Sequence, residues 1–208
     1  MHAFLDMLRT QRWDDHRYYH HSRINQTLHL ISATTFLVAY GILFFDPAVA
    51  ALIGWLIAMT TRQSGHFFFE PKCYDHINEA SHAYKEEVKV GYNLFRKWVL
   101  MGFWALTPLV PLVDPTLFGL YEPHQTFMQY VRQVGLLWFW LAVAGVIFRV
   151  IQLIFIEDWM TGLVWATKIL TDPFNDVKLY YRAPGRLLKG ELVTPGIFGQ
   201  SEEEPAAH

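Results

Sequence analysis

Residues 18–45 read YYHHSRINQTLHLISATTFLVAYGILFF. From Ile24 to Phe45 this stretch holds no Asp, Glu, Lys or Arg, which meets the roughly 20 apolar residues needed for a helix to cross a bilayer. Its polar members, His21, Asn25 and His29, recur every fourth residue. On a helix they form one stripe drifting by roughly 40° per step, and such a stripe has to face protein or water.

Three more uncharged stretches follow: 47–61, 98–113, and 133–156 with Arg149 as its one interruption. Arg62 can extend its charge to the interface, and Phe67, Phe68 and Phe69 let the second helix continue toward Pro71. The expected fold is therefore all-α, a polytopic membrane protein with four spans near 27–45, 48–69, 98–113 and 134–156 and a polar site on the cytoplasmic side. Between the second and third spans, 71–97 reads as a cytoplasmic helical loop, with a surface helix over 75–90. The segment 157–208 reads as a cytoplasmic interfacial tail, disordered near 201–208.

Charge distribution orients the chain. Of the 17 Lys and Arg residues, 15 lie before the first span, in 62–97 or after the fourth span; Arg132 and Arg149 are the others. The positive-inside rule then puts both termini and the 62–97 loop in the cytoplasm. That corresponds to an inner or plasma membrane in a bacterium and to the endoplasmic reticulum in a eukaryote. The formal net charge of −2 argues against nucleic acid as a partner, and the lone Cys73 excludes a disulfide framework.

Seven of the ten histidines, His16, His20, His21, His29, His66, His76 and His82, fall on the cytoplasmic side or just within it. Imidazole suits iron and zinc, and helix-borne histidines at one depth can converge where spans bundle. His66 and Glu70, four residues apart at the end of the second span, reach the depth of His29. A hydrogen-bonded His–Asn–Glu cluster without metal fits the same residues.

The pattern Tyr19-His20-His21-x3-Asn25-x3-His29, followed after a helical hairpin by Gly65-His66-x3-Glu70, resembles the membrane 2-hydroxy fatty acid dioxygenase family of yeast phytosphingosine breakdown. The resemblance covers about the first 70 residues. It implies Fe(II) as cofactor, O2 and a lipid or fatty acyl substrate as partners, and α-oxidation that shortens a 2-hydroxy fatty acid by one carbon. It makes His21, His29 and His66 the expected metal ligands, with His20, Asn25 and Glu70 as catalytic groups. This chain departs from the family after Glu70, where Pro71-Lys72-Cys73-Tyr74-Asp75-His76 stands in place of a basic segment ending in Pro-Ala.

Around this centre, Tyr18 and Arg149 are candidate substrate-binding residues, although Arg149 can instead extend its charge to the interface. His76, Glu79 and His82 are candidates for an outer layer. Glu79-x-x-His82 matches the spacing of di-iron carboxylate bundles, but no second copy occurs. His16-x3-His20-His21 echoes one histidine box of membrane desaturases, so a di-iron lipid hydroxylase or desaturase stands as an alternative. A non-catalytic membrane scaffold or small transporter is a third.

Overall fold

The structure, a computed structural model, describes residues 2–90 and 93–199. It is all-helical, and among the described residues it holds no strand beyond two isolated bridges. Helix α1 (His2–Tyr19) leads into α2 (Arg23–Leu43) through a short break. Ser22 causes that break: its extended backbone precedes α2, and its hydroxyl accepts the Asn25 N–H.

After α2, Asp46 caps α3 (Pro47–Ile53) by accepting from the Ala48 and Val49 amides. The helix then runs to residue 69 without interruption but changes its winding: a π turn at Gly54–Met59, α4 (Thr60–Ser64), and a second π turn at Gly65–Phe69. Glu70 is extended, and Pro71 follows.

The 71–97 loop differs from its expected helix. Asp75 accepts the Ile77 and Asn78 amides at 3.0 Å each and bridges Ala80, so 75–80 is a turn, with Glu79 left-handed at φ 50. A carboxylate that satisfies nearby amides competes with helix formation. Within 75–90 the helical part is α5 (His82–Glu87), capped by Ser81.

Helix α6 (Leu94–Leu106), a 3-10 turn (Thr107–Leu109) and α7 (Val110–Val113) occupy the third expected span. Pro108 and Pro111 account for the change of winding, since neither has an N–H to give. Helix α8 (Phe127–Ile156) opens on a reciprocal cap between Thr126 and Gln129. Two helices, α2 and α8, are long and apolar enough to cross a membrane. Their outer faces expose Val38, Trp140, Ile147 and Phe148.

Packing places α2 centrally, between the 47–69 helix and α9 (Trp159–Tyr180), with α8 touching both neighbours. Gly135 makes the α3–α8 crossing close: a Cβ there would come within 2.6 Å of the Ala48 carbonyl oxygen. Trp55, Trp104 and Trp138 fill one end. The Trp55 indole donates to the Trp138 carbonyl at 2.9 Å, and the Trp138 indole donates to that of Trp104 at 3.0 Å.

The expected interfacial tail is instead built into the bundle. Buried Lys168 on α9 pairs with Asp15 of α1 and, at 2.6 Å, with Asp172, which also takes the Arg12 guanidinium at 3.3 Å. Helix α10 (Ala183–Leu187) turns the chain back. The Arg23 amide then donates to Leu192 O at 2.8 Å, and the Thr194 amide donates to His21 O at 2.8 Å. Arg23 also pairs with Glu191. The expectation of disorder at 201–208 lies outside the described residues.

Candidate metal centre

Three histidines from three parts of the chain meet where the α1–α2 break, α2 and the 47–69 helix come together. His20, His29 and His66 each present a ring nitrogen, and these atoms lie within 4.8 Å of one another. His20 Nε2 is 3.3 Å from His29 Nε2, which is 3.1 Å from His66 Nε2. His29 is fully buried and His20 nearly so. His66 sits on the second π turn, where the extra residue shifts its direction relative to an α-helix.

The outer nitrogen decides the protonation of His20. His20 Nδ1 is 2.9 Å from the Asp15 carbonyl oxygen, which can only accept, so the hydrogen resides on Nδ1 and Nε2 is a bare lone pair. His29 Nδ1 lies 3.5 Å from Asp176 Oδ2 and 3.2 Å from His20 Nε2, so either nitrogen of the His29 ring can carry its hydrogen. The bare His20 Nε2 faces both of them, at 3.2 and 3.3 Å, and can take a hydrogen bond from one or share a cation with the other. Ligand nitrogens at about 2.1 Å from a shared ion stand about 3.0–3.4 Å apart, in line with the His20–His29 and His29–His66 separations. Burial, with His29 and His16 adding to it, holds His20 well below its ordinary value, so it is neutral as a ligand must be. The donor set therefore fits a metal ion.

His16 and Tyr180 stand alongside. The His16 Nδ1 bonds the Tyr180 hydroxyl, while its Nε2 is 3.0 Å from the Asn175 amide and 3.9 Å from Asp176 Oδ1. The Tyr180 ring lies 5.5 Å from that of His20.

The expected ligand His21 points elsewhere, and His20 takes its place. His21 Nε2 is 2.9 Å from Asp75 Oδ2, which Lys85 also contacts at 2.8 Å. The helical period assumed from 21 to 29 breaks at Ser22, so the residue nine before His29 meets it.

Glu70 and Asn25 close the hairpin. Glu70 accepts the His21 amide at 2.8 Å and the Asn25 side-chain amide at 2.7 Å, and Asn25 also donates to Tyr19 O. Burial pushes the Glu70 carboxyl up to about 7 against these bonds, which act to lower it.

Tyr18 is buried edge-on against Tyr84 and lines a cleft that His66 also lines. Arg149 is buried, donating to Gln152 at 2.6 Å and to the Val90 carbonyl, so it does not extend to the surface. His76 packs on Tyr74, Glu79 occupies its turn, and His82 opens α5 at the cleft. None of these three belongs to the His20–His29–His66 group.

Asp176 and Tyr180 enter the site without having been expected there, while His16, expected as part of a desaturase-like histidine box, stands beside the group and outside it. Their signal is the spacing Lys168, Asp172, Asp176 and Tyr180, a four-residue repeat that places charges on one helical face. Comparison with protein-family models, curated proteins and solved structures gives no match for the chain.

Proposed function

We propose that the chain is a four-span membrane protein with both termini cytoplasmic, that His20, His29 and His66 hold Fe(II), and that it oxidises a 2-hydroxy fatty acid with O2. The observation that supports this reading is the convergence of three imidazoles, that of His20 with its outer nitrogen bonded to the Asp15 carbonyl, in a desolvated site among apolar helices. Bound iron(II) supplies a Lewis acid for an oxygen-rich head group and a reductant for O2. Three protein ligands leave coordination positions for both.

The overall change balances as one 2-hydroxy acid and one O2 giving the acid one carbon shorter, CO2 and water. The C1–C2 bond breaks, and the four electrons lost by C1 and C2 reduce O2. Within the chain, the Asp15 carbonyl fixes the ring of His20, and the Asp176 carboxylate faces that of His29. The contact between Tyr180 and His16 offers a path for a proton between phenol and imidazole beside the site. Half-buried Glu70 and buried Asn25 hold the two helices together beside the ligands.

The test is elemental analysis of anaerobically purified protein, followed by product analysis with a 2-hydroxy acid and the unsubstituted acid. One iron per chain with a product one carbon shorter supports the reading. Hydroxylated or desaturated products from the unsubstituted acid would point to a lipid hydroxylase, and absence of metal to a non-catalytic membrane protein.

A further inference from the structure

Beside His66 lies a small cleft whose walls bring together Lys72, Lys85, Lys89 and Lys97 against Glu70 and Glu86. Most of these charges are already engaged. Lys85 is paired with Asp75 at 2.8 Å, the Glu86 carboxylate accepts the Leu94 amide at 2.7 Å, and Glu70 is bonded to His21 and Asn25. The Asp15 carboxylate, near Lys89, is paired with Lys168.

Lys89 and Lys97 differ. Among the described residues neither forms an ion pair with a carboxylate, and both line the same cleft. The Lys89 amino group sits 3.4 Å over the Tyr19 ring. Two lysines side by side in a cleft repel when both are charged, and a bound anion relieves that repulsion. Burial draws both below the ordinary lysine value, Lys97 the further, with Lys89 beside it adding to the drop.

Pro71 and Leu94 are the apolar side chains of its lining. Beyond the cleft, one turn on from Leu94 along α6, Trp98 stacks on Phe67 with ring centres 4.7 Å apart, and Phe68, Phe95 and Trp98 are exposed. A ligand that satisfies both ends carries one anionic group on an apolar chain.

We propose that Lys89 and Lys97 form an anion subsite beside His66 that binds the carboxylate of an acyl chain, an inference that rests on reading His20, His29 and His66 as a metal centre acting on such chains. The two amines give an anionic carboxylate ion-paired hydrogen bonds that are stronger than those a neutral ester or alcohol oxygen accepts. The subsite would present the carboxyl end of the chain to the histidines.

The test uses the full chain purified in detergent and displacement of a fluorescent fatty acid by palmitate, methyl palmitate and hexadecyl phosphate. Palmitate should displace the probe at a concentration roughly tenfold or more below that of the methyl ester. Lys89→Gln and Lys97→Gln should each lose this preference while methyl palmitate binding and metal content stay unchanged, and Lys89→Arg and Lys97→Arg should retain it. Equal potency of acid and ester on the unaltered protein, or a preference that survives both glutamine variants, would overturn the subsite. Tighter displacement by hexadecyl phosphate than by palmitate would overturn the assignment to a carboxylate. Because palmitate lacks the 2-hydroxyl and binding is read without turnover, a carboxylate preference in protein that holds no iron would sink the proposed oxidation and leave the subsite standing. Iron with turnover of 2-hydroxy acids but no such preference would do the reverse.

Discussion

Asp176 and His29 share a contact that ties the last long helix to the first apolar one: the Asp176 Oδ2 atom lies 3.5 Å from His29 Nδ1 and 3.1 Å from the Arg62 guanidinium. The carboxylate is 1% exposed. A buried charge of this kind persists where partners compensate it, and here the partners come from α2 and α4. The same carboxylate thus neutralises Arg62 and faces the His29 ring.

Replacing that carboxylate tests its part in metal binding. Asp176→Asn keeps the shape but removes the charge that faces His29 Nδ1. We expect metal affinity to fall roughly 10–100-fold, measured by competition with a chelator of known affinity on variant protein that still elutes as a single species. An affinity equal to that of the unaltered protein would remove Asp176 from the centre.

The two neighbouring histidines provide a sharper contrast. His20→Ala, His29→Ala and His66→Ala should each lose bound metal. His21→Ala should retain it and instead lower stability by about 1–3 kcal/mol, since Asp75 loses a buried partner. Metal content and thermal midpoints of the four variants settle the matter, and loss of metal in His21→Ala with retention in His20→Ala would reverse the assignment.

That contrast also marks how far the sequence could be read. Apolar runs and charge placement fixed an all-helical chain, and the clustering of His29 and His66 followed from depth alone. The choice between His20 and His21 depended on one dihedral change at Ser22, and a serine three residues before Asn25 is the available sign of a helix start. The turn at Asp75 was hidden because 75–90 is composed of good helix formers, and the carboxylate overrides them through bonds to backbone amides. Asp176 was missed because a contact more than a hundred residues away in sequence leaves no periodic trace in α2.

Gly65 is where the two ligand-bearing helices come closest. A Cβ at this position would lie 2.0 Å from Asn25 Oδ1 and 3.4 Å from Asn25 Cα. Asn25 is held by Tyr19 O and Glu70, so it cannot swing away without breaking both bonds. Gly65→Ala should destabilise by about 1–3 kcal/mol and lower metal occupancy. Gly102→Ala, where a Cβ meets nothing within 4 Å, is the control. Thermal midpoints that fall equally for both variants would show that the close approach is not what matters.

The proposed topology has its own check. Reporter fusions after residues 46 and 120 should report the outside, and fusions after 85 and 200 the cytoplasm. Activity of a cytoplasm-dependent reporter at residue 120 would contradict four spans with both ends inside.

The pairing of Thr194 with the His21 carbonyl links residues 173 apart in the chain, and it imposes an order in time. During synthesis the α2 hairpin emerges early, carrying His29 and His66, while the segment that pins the neighbourhood of His20 is made on the order of ten to thirty seconds later. Asp176 also arrives late. The His20–His29–His66 group therefore gains its Asp176 and Thr194 surroundings only after nearly all of the described chain has been made.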